Sequence, residues 1–187
     1  INGVGGSAIG LSGKDGRLIM AKKLLRTKKD PDSNIEKVLD LGFVGEPDVV
    51  NPKILQNFES SDVIPVIAPI GVGENGETYN INADTAAGAI AAALGASKLI
   101  MLTDIAGVMD GDKKLMPTLT RDSAAELISN GTINGGMIPK VETCLDAIDQ
   151  GTGAAHILDG RVPHVLLLEI FTEHGVGTMI SPKSDQS

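Results

Sequence analysis

"TYNINADTAAGAIAAALGASKLIMLTD", residues 78–104, decides the fold. Its first residues read as a strand, 85–94 as a helix built almost entirely of small side chains, and 98–104 as a second strand. The second strand is continuously apolar, the signature of a strand covered on both faces within a parallel sheet. Strand, helix and strand in this order predict a right-handed crossover. The fold class is therefore α/β, a sandwich whose ligand side lies at the carboxyl ends of its strands.

Working upstream, 63–71 reads as a buried strand. Asn51 and Pro52 start a helix carrying Ile54, Leu55 and Phe58. "KVLDLGFVGEPDVVN", 37–51, predicts a short hairpin. Residues 7–11 and 17–25 predict a further hairpin across the Lys14-Asp15-Gly16 turn, because Asp-Gly between apolar runs favours one. Downstream, Asp122 or Ser123 caps a helix over 124–131. Met137, Val141, Leu145 and Ile148 then form one stripe of a second helix that Gly151 closes. From 154 to 180, strands alternate with a short helical connection.

The 187 residues are of single-domain size and long enough to bury a sizeable core. A formal charge of −8 opposes nucleic acid and anionic membrane as partners. The basic cluster Lys22, Lys23, Arg26, Lys28 and Lys29 is expected to be answered by Asp30, Asp32 and Glu36. Cys144 is the single cysteine. It excludes an internal disulfide and a thiolate metal cluster, and it suits a reducing, cytoplasmic compartment. It sits within an amphipathic helical pattern and reads as a small buried residue. The most apolar stretch, 88–102, is broken by Gly95, Ser97 and Lys98 and is shorter than the ~20 residues of a membrane span. No signal peptide is visible.

Asn80 and Asn82, two apart on a strand, share a face opposite Tyr79 and Ile81. Two neutral amides on one face can donate to a ligand that already carries negative charge. An ordinary helix cap with Asx turns around Asp84 accounts for the same residues, and both readings stand. Gly135-Gly136 allows close backbone approach ahead of a helix whose amides favour an anion. Lys140, in the first turn of that helix, is opposed by the macrodipole unless an anion lies beside it; a flexible surface lysine is the alternative. "LTDIAGVMD" places Thr103 and Asp104 at a strand's carboxyl edge, which suits a nucleotide's base or ribose as well as a plain turn. Glycine spacing excludes a P-loop, and no G-x-G-x-x-G opens a helix. His156, His164 and His174 lack metal-ligand spacing, so no metal site is assigned.

Together, "LSGKDGRLI", "YNINADTAA", "LTDIAGVMD", "GGMIPKV" and "HVLLLEIFTEHGVGTMI" resemble the C-terminal two thirds of the amino acid kinase family. Within it they resemble the branch that phosphorylates N-acetyl-L-glutamate. The resemblance implies an open αβα sandwich with a mainly parallel central sheet. It places the end of a substrate-binding lobe over about 1–80 and a nucleotide-binding lobe over about 81–187.

It also implies transfer of the ATP γ-phosphoryl group to the side-chain carboxylate of N-acetyl-L-glutamate, in arginine synthesis, with Mg²⁺ carried mainly by the nucleotide. Asn80 and Asn82 match substrate-binding asparagines. Asp84 matches the aspartate that organises catalytic lysines, and Lys140 matches the lysine that draws charge from the leaving phosphate. Thr103, Asp104, Ile105, Ala106, Gly107, Val108 and Met109, with Asn134 and Met137, would line the nucleotide. His156, Glu169 and Gly175 match an L-arginine effector site of the inhibited members. A homo-oligomer, dimeric or hexameric, and the PII signalling protein are the partners implied.

The family's first strand, with a second catalytic lysine and a glycine pair, and the substrate-binding arginine are expected upstream of Ile1. A catalytically silent effector-binding fragment, or another small-molecule kinase of the family, are the alternatives.

Overall fold

The computed structural model describes residues 1–29, 36–172 and 175–182. They form two compact units, Ile1–Ile90 and Ala91–Ser187.

In the first unit, β1 (Ala8–Ser12) pairs in parallel with β4 (Ile64–Ala68) as a two-stranded sheet. β2 (Ile19–Lys29), β3 (Glu36–Val50), β5 (Ile70–Val72) and β6 (Thr78–Ile81) close a small barrel in the order β2–β3–β6–β5. The hairpin expected between β1 and β2 does not form, since neither strand pairs with the other. The Asp15 carboxylate instead accepts from the Ser12 amide (2.7 Å) and hydroxyl (2.9 Å). These bonds hold Asp15 below the usual carboxylate range. They support a 3-10 turn over Asp15–Arg17 that sends the chain into another sheet.

Nor does 37–51 fold back on itself. It is one strand, β3, antiparallel to β2. Gly42, at φ 69°, lies beside a register shift, so the glycine serves a bulge and not a hairpin turn. Lys22 faces Glu46 and Asp48 across this ribbon, and Lys23 faces Asp40 at 2.7 Å. The basic cluster is thus answered from β3. Asp30 and Asp32 lie outside the described residues, as do the side chains of Lys28, Lys29 and Glu36. Such exposed pairs contribute about 0–1 kcal/mol each.

The helix after Asn51 is a single turn, α1 (Lys53–Gln56), with Leu55 buried. β4 is not the buried strand expected. Ile64 and Val66 are half exposed, and among the described residues β4 pairs with β1 alone.

α2 (Ala83–Leu94) follows β6 as predicted. The second unit has a four-stranded sheet in the order β7–β9–β10–β8, from β7 (Leu99–Thr103), β8 (Thr118–Thr120), β9 (Ala155–Asp159) and β10 (Thr178–Ser181). β7·β9 and β8·β10 are parallel and β9·β10 antiparallel. β6 and β7 lie in different sheets, so the expected crossover between them is absent. The parallel connection runs from β7 to β9 instead, through α3 (Arg121–Ser129) and α4 (Met137–Asp149).

β7 is the sheet's edge and buries only Leu99 and Met101, while Leu102 is half exposed. α3 is capped by Thr120, two positions before Asp122, the earlier of the two expected caps. The Thr120 hydroxyl accepts from the Ser123 amide in a reciprocal capping box. α4 buries Val141, Cys144, Leu145 and Ile148 with Met137 packed alongside, the predicted stripe. Ala155, Ile157 and Ile180 meet this stripe in the core, where each large aliphatic side chain stabilises by about 1.5–3 kcal/mol. α5 (Val165–Phe171) completes the unit. No helix among the described residues is long and apolar enough to cross a membrane.

Candidate functional site

In the first unit, β6 alternates as its sequence predicts. Tyr79 and Ile81 are buried, and Asn80 faces solvent from the opposite side. Asn82 is also exposed, and its Oδ1 accepts from the amides of Asp84 (2.9 Å) and Thr85 (3.2 Å). It therefore caps α2, a role usually worth about 1 kcal/mol. With the oxygen committed to the helix, the Nδ2 end is the part of the amide that can donate outward. Asp84, half buried, is the second residue of α2.

In the second unit, Thr103 and Asp104 lie at the carboxyl end of β7, with the Thr103 hydroxyl 3.3 Å from Asp104 Oδ1. Asp104 and Ile105 are exposed, whereas Gly107 and Val108 are buried, so the loop has an open limb and an anchored limb. Asn134 donates to the Gly131 carbonyl at 3.1 Å. It precedes Gly135 and Gly136, where a Cβ would meet nothing within 4 Å. Their backbone thus borders open space, as the glycine pair suggests. Met137 opens α4 and half-buried Lys140 follows within its first turn and a half.

Two residues missed from sequence join this edge. Thr103 is in register with Asp159 of β9. Asp159 accepts from Arg161 Nε (2.9 Å) and Nη2 (2.8 Å) and from the Arg161 amide. The guanidinium beside it lowers Asp159 to about 2, and Arg161 is raised in turn, with Asp104 adding to the effect. That pairing persists above the ordinary carboxylate range and is lost only as pH falls towards 2. The spacing Asp-x-Arg after a strand was its available signal.

His156, Glu169 and Gly175, distant in sequence, come together. His156 Nδ1 lies 2.7 Å from Glu169 Oε1, and Glu169 Oε2 accepts from the Val176 amide at 2.9 Å. Gly175 adopts φ 46°, and a Cβ there would stand 3.1 Å from Oε2. Among the described residues, His156 Nε2 is buried without a hydrogen-bond partner, an arrangement that is costly unless something completes it. His164 starts α5, and His174 lies outside the described residues. Among the described residues, no group of three or more His, Cys, Asp or Glu is placed to hold a metal.

The chain belongs to the amino acid kinase family, whose sequence profile matches residues 3–159. Among curated relatives, an acetylglutamate kinase of Rhodospirillum rubrum is 64% identical over 180 residues, covering 96% of this chain and 58% of that protein. One from Rhodospirillum centenum is 62% identical over 183 residues, covering 98% and 60%. The chain thus spans about three fifths of the length of these relatives.

Among solved structures, N-acetylglutamate synthase from Neisseria gonorrhoeae, complexed with coenzyme A and L-arginine, matches with a TM-score of 0.79 at 23% identity. The match covers 96% of this chain and 38% of that one. Carbamate kinase from Giardia lamblia bound to AMP-PNP matches at 0.60 and 16%, over 85% and 52%. These two share the fold.

Proposed function

We propose that this chain is the larger part of an enzyme that transfers the γ-phosphoryl group of ATP to the side-chain carboxylate of N-acetyl-L-glutamate. The 64% identity to an acetylglutamate kinase across 96% of the chain carries this reading. The bond from the γ-phosphorus to its bridging oxygen breaks, a carboxylate oxygen takes that place, and ADP leaves. Such transfer depends on positioning and charge neutralisation, with little covalent work for the protein.

Asn80 and Asn82 donate to the acetylamino acid. Asp84 and Lys140 serve catalysis, Lys140 by drawing charge from the leaving phosphate. Residues 103–109, Asn134 and Met137 receive the nucleotide, and Mg²⁺ arrives with it. On this reading the substrate-binding lobe ends near residue 80 and the nucleotide-binding lobe follows, in a cytoplasmic enzyme of arginine synthesis.

Expressed with the remaining two fifths of the relatives' length, the protein yields an acyl phosphate, trapped by hydroxylamine, that requires both ATP and N-acetyl-L-glutamate. Residues 1–187 alone turn over at least about 10²-fold more slowly, the usual effect of losing one charge-stabilising group. Equal use of carbamate, aspartate or uridylate would move the reading to another kinase of the family. ATP binding without turnover in the longer protein would favour a silent effector-binding module.

A second reading rests on the gathering of His156, Glu169 and Gly175: L-arginine binds there as an inhibitor. A carboxylate offers about four lone-pair sites, so Glu169 can take a guanidinium beside its two present donors. Calorimetry should find weak L-arginine binding that Glu169→Ala abolishes and Glu169→Gln weakens, with ATP binding retained in both. Equal binding of D-arginine, or unchanged binding by both variants, rejects the assignment.

A further inference from the structure

The hydroxyl of Thr178 lies fully buried at the start of β10 and joins two segments of chain far from it in sequence. Oγ1 accepts from the Val108 amide at 2.8 Å and donates to the Met116 carbonyl at 2.7 Å. The Met116 amide in turn donates to the Val108 carbonyl at 2.8 Å, and a Met109–Leu115 bridge closes the loop between them. Gly107 packs directly on this hydroxyl. At φ 145°, its Cβ would lie 2.6 Å from Thr178 Oγ1 and 3.2 Å from the Thr178 amide.

Thr178 cannot drift, because β10 is fixed on both sides. Thr178 is in register with Ile157, and Met179 with Thr118. Gly177 sits so tightly that a Cβ would run into the Ile157 carbonyl. Within the loop that leaves the carboxyl end of β7, this one buried hydroxyl thus supplies both an acceptor and a donor, tying Val108 and Met116 to β10.

We infer that Thr178 is a positioning residue for the nucleotide: it holds the anchored limb, Gly107 and Val108, so that the exposed limb at Asp104 and Ile105 keeps the shape the nucleotide requires. This rests on the nucleotide reading of residues 103–109. Valine copies the shape of threonine but strips the buried Val108 amide and the half-buried Met116 carbonyl of this partner. Serine keeps the hydroxyl.

The test uses the longer protein and measures ATP affinity, the two KM values and photolabelling by 8-azido-ATP. Thr178→Val should raise the ATP Kd and KM about 10-fold, equivalent to about 1.4 kcal/mol. The KM for N-acetyl-L-glutamate and kcat at saturating ATP should stay within about twofold, and Thr178→Ser should restore ATP affinity. Thr178→Ala is read the same way should the valine variant fail to fold. Wild-type ATP affinity in folded Val or Ala variants, or equal losses for both substrates, overturns the inference. If 8-azido-ATP labels no peptide spanning 103–109 in the wild type, the nucleotide reading falls and the inference falls with it. Labelling in the wild type that is unchanged in Thr178→Val defeats the inference alone.

Discussion

In the protein carrying the remaining length of its relatives, Lys140→Met lowers kcat by at least about 10²-fold, with the KM for N-acetyl-L-glutamate changed by less than about threefold. Methionine matches lysine in length and helix propensity, so α4 keeps its packing. What is removed is a cation in the first part of a helix, where the macrodipole opposes it by about 0.3–1 kcal/mol. A phosphoryl group reverses that balance, and most strongly when charge builds on the leaving oxygen. An interaction realised chiefly in the transition state appears in kcat. On the proposed reading Asn80→Ala removes a neutral donor to ground-state substrate, and it should chiefly raise that KM. Steady-state kinetics on both variants separate the two profiles. Near-wild-type values for both would return Lys140 and Asn80 to ordinary surface roles.

The largest stability effect is expected at Ile157. It is fully buried at the centre of β9, with Met101 of β7 and Thr178 of β10 as its lateral neighbours. Ile157→Ala should cost about 2–5 kcal/mol, because strands fixed on both sides cannot close over the cavity. The melting midpoint should fall by roughly 4–20 °C. Leu167 on α5 is more than half exposed, and Leu167→Ala should change stability by less than about 0.5 kcal/mol. Thermal melts of the pair test the placement of the core. Equal losses would mean that Ile157 is not inside it.

Features with a local cause were legible in the sequence. The α4 stripe, the burial of Cys144, the small-residue helix α2 and the alternation of β6 all follow from periods of 3.6 or 2 within one segment. Strand partnership was not legible, since it is chosen between segments far apart. Asp15 and Gly16 do make a turn, but nothing nearby says that β1 will pair with β4. Gly42 carries the same one-letter signal in a bulge as in a hairpin. A threonine inside a strand looks like any β-branched residue, so the hydroxyl of Thr178 was invisible as a tie between Val108 and Met116. His156, Glu169 and Gly175 were picked out by resemblance to a family. Their meeting depends on β9, α5 and the entry to β10 lying side by side, which no spacing encodes.

Asn82 gives the first unit an evolutionary loose end. Its oxygen serves the helix, and on the proposed reading its nitrogen donates to the substrate, so one residue would answer to two separate selective pressures. Aspartate or serine at this position would cap α2 about as well and leave the protein as stable as before. The outward N–H donor would vanish all the same, replaced by a charge or a shorter hydroxyl. A descendant could therefore drift through position 82 with no penalty in folding while its preference among acidic acceptors changed. Along such a lineage, specificity would be lost or remade before stability registered any difference.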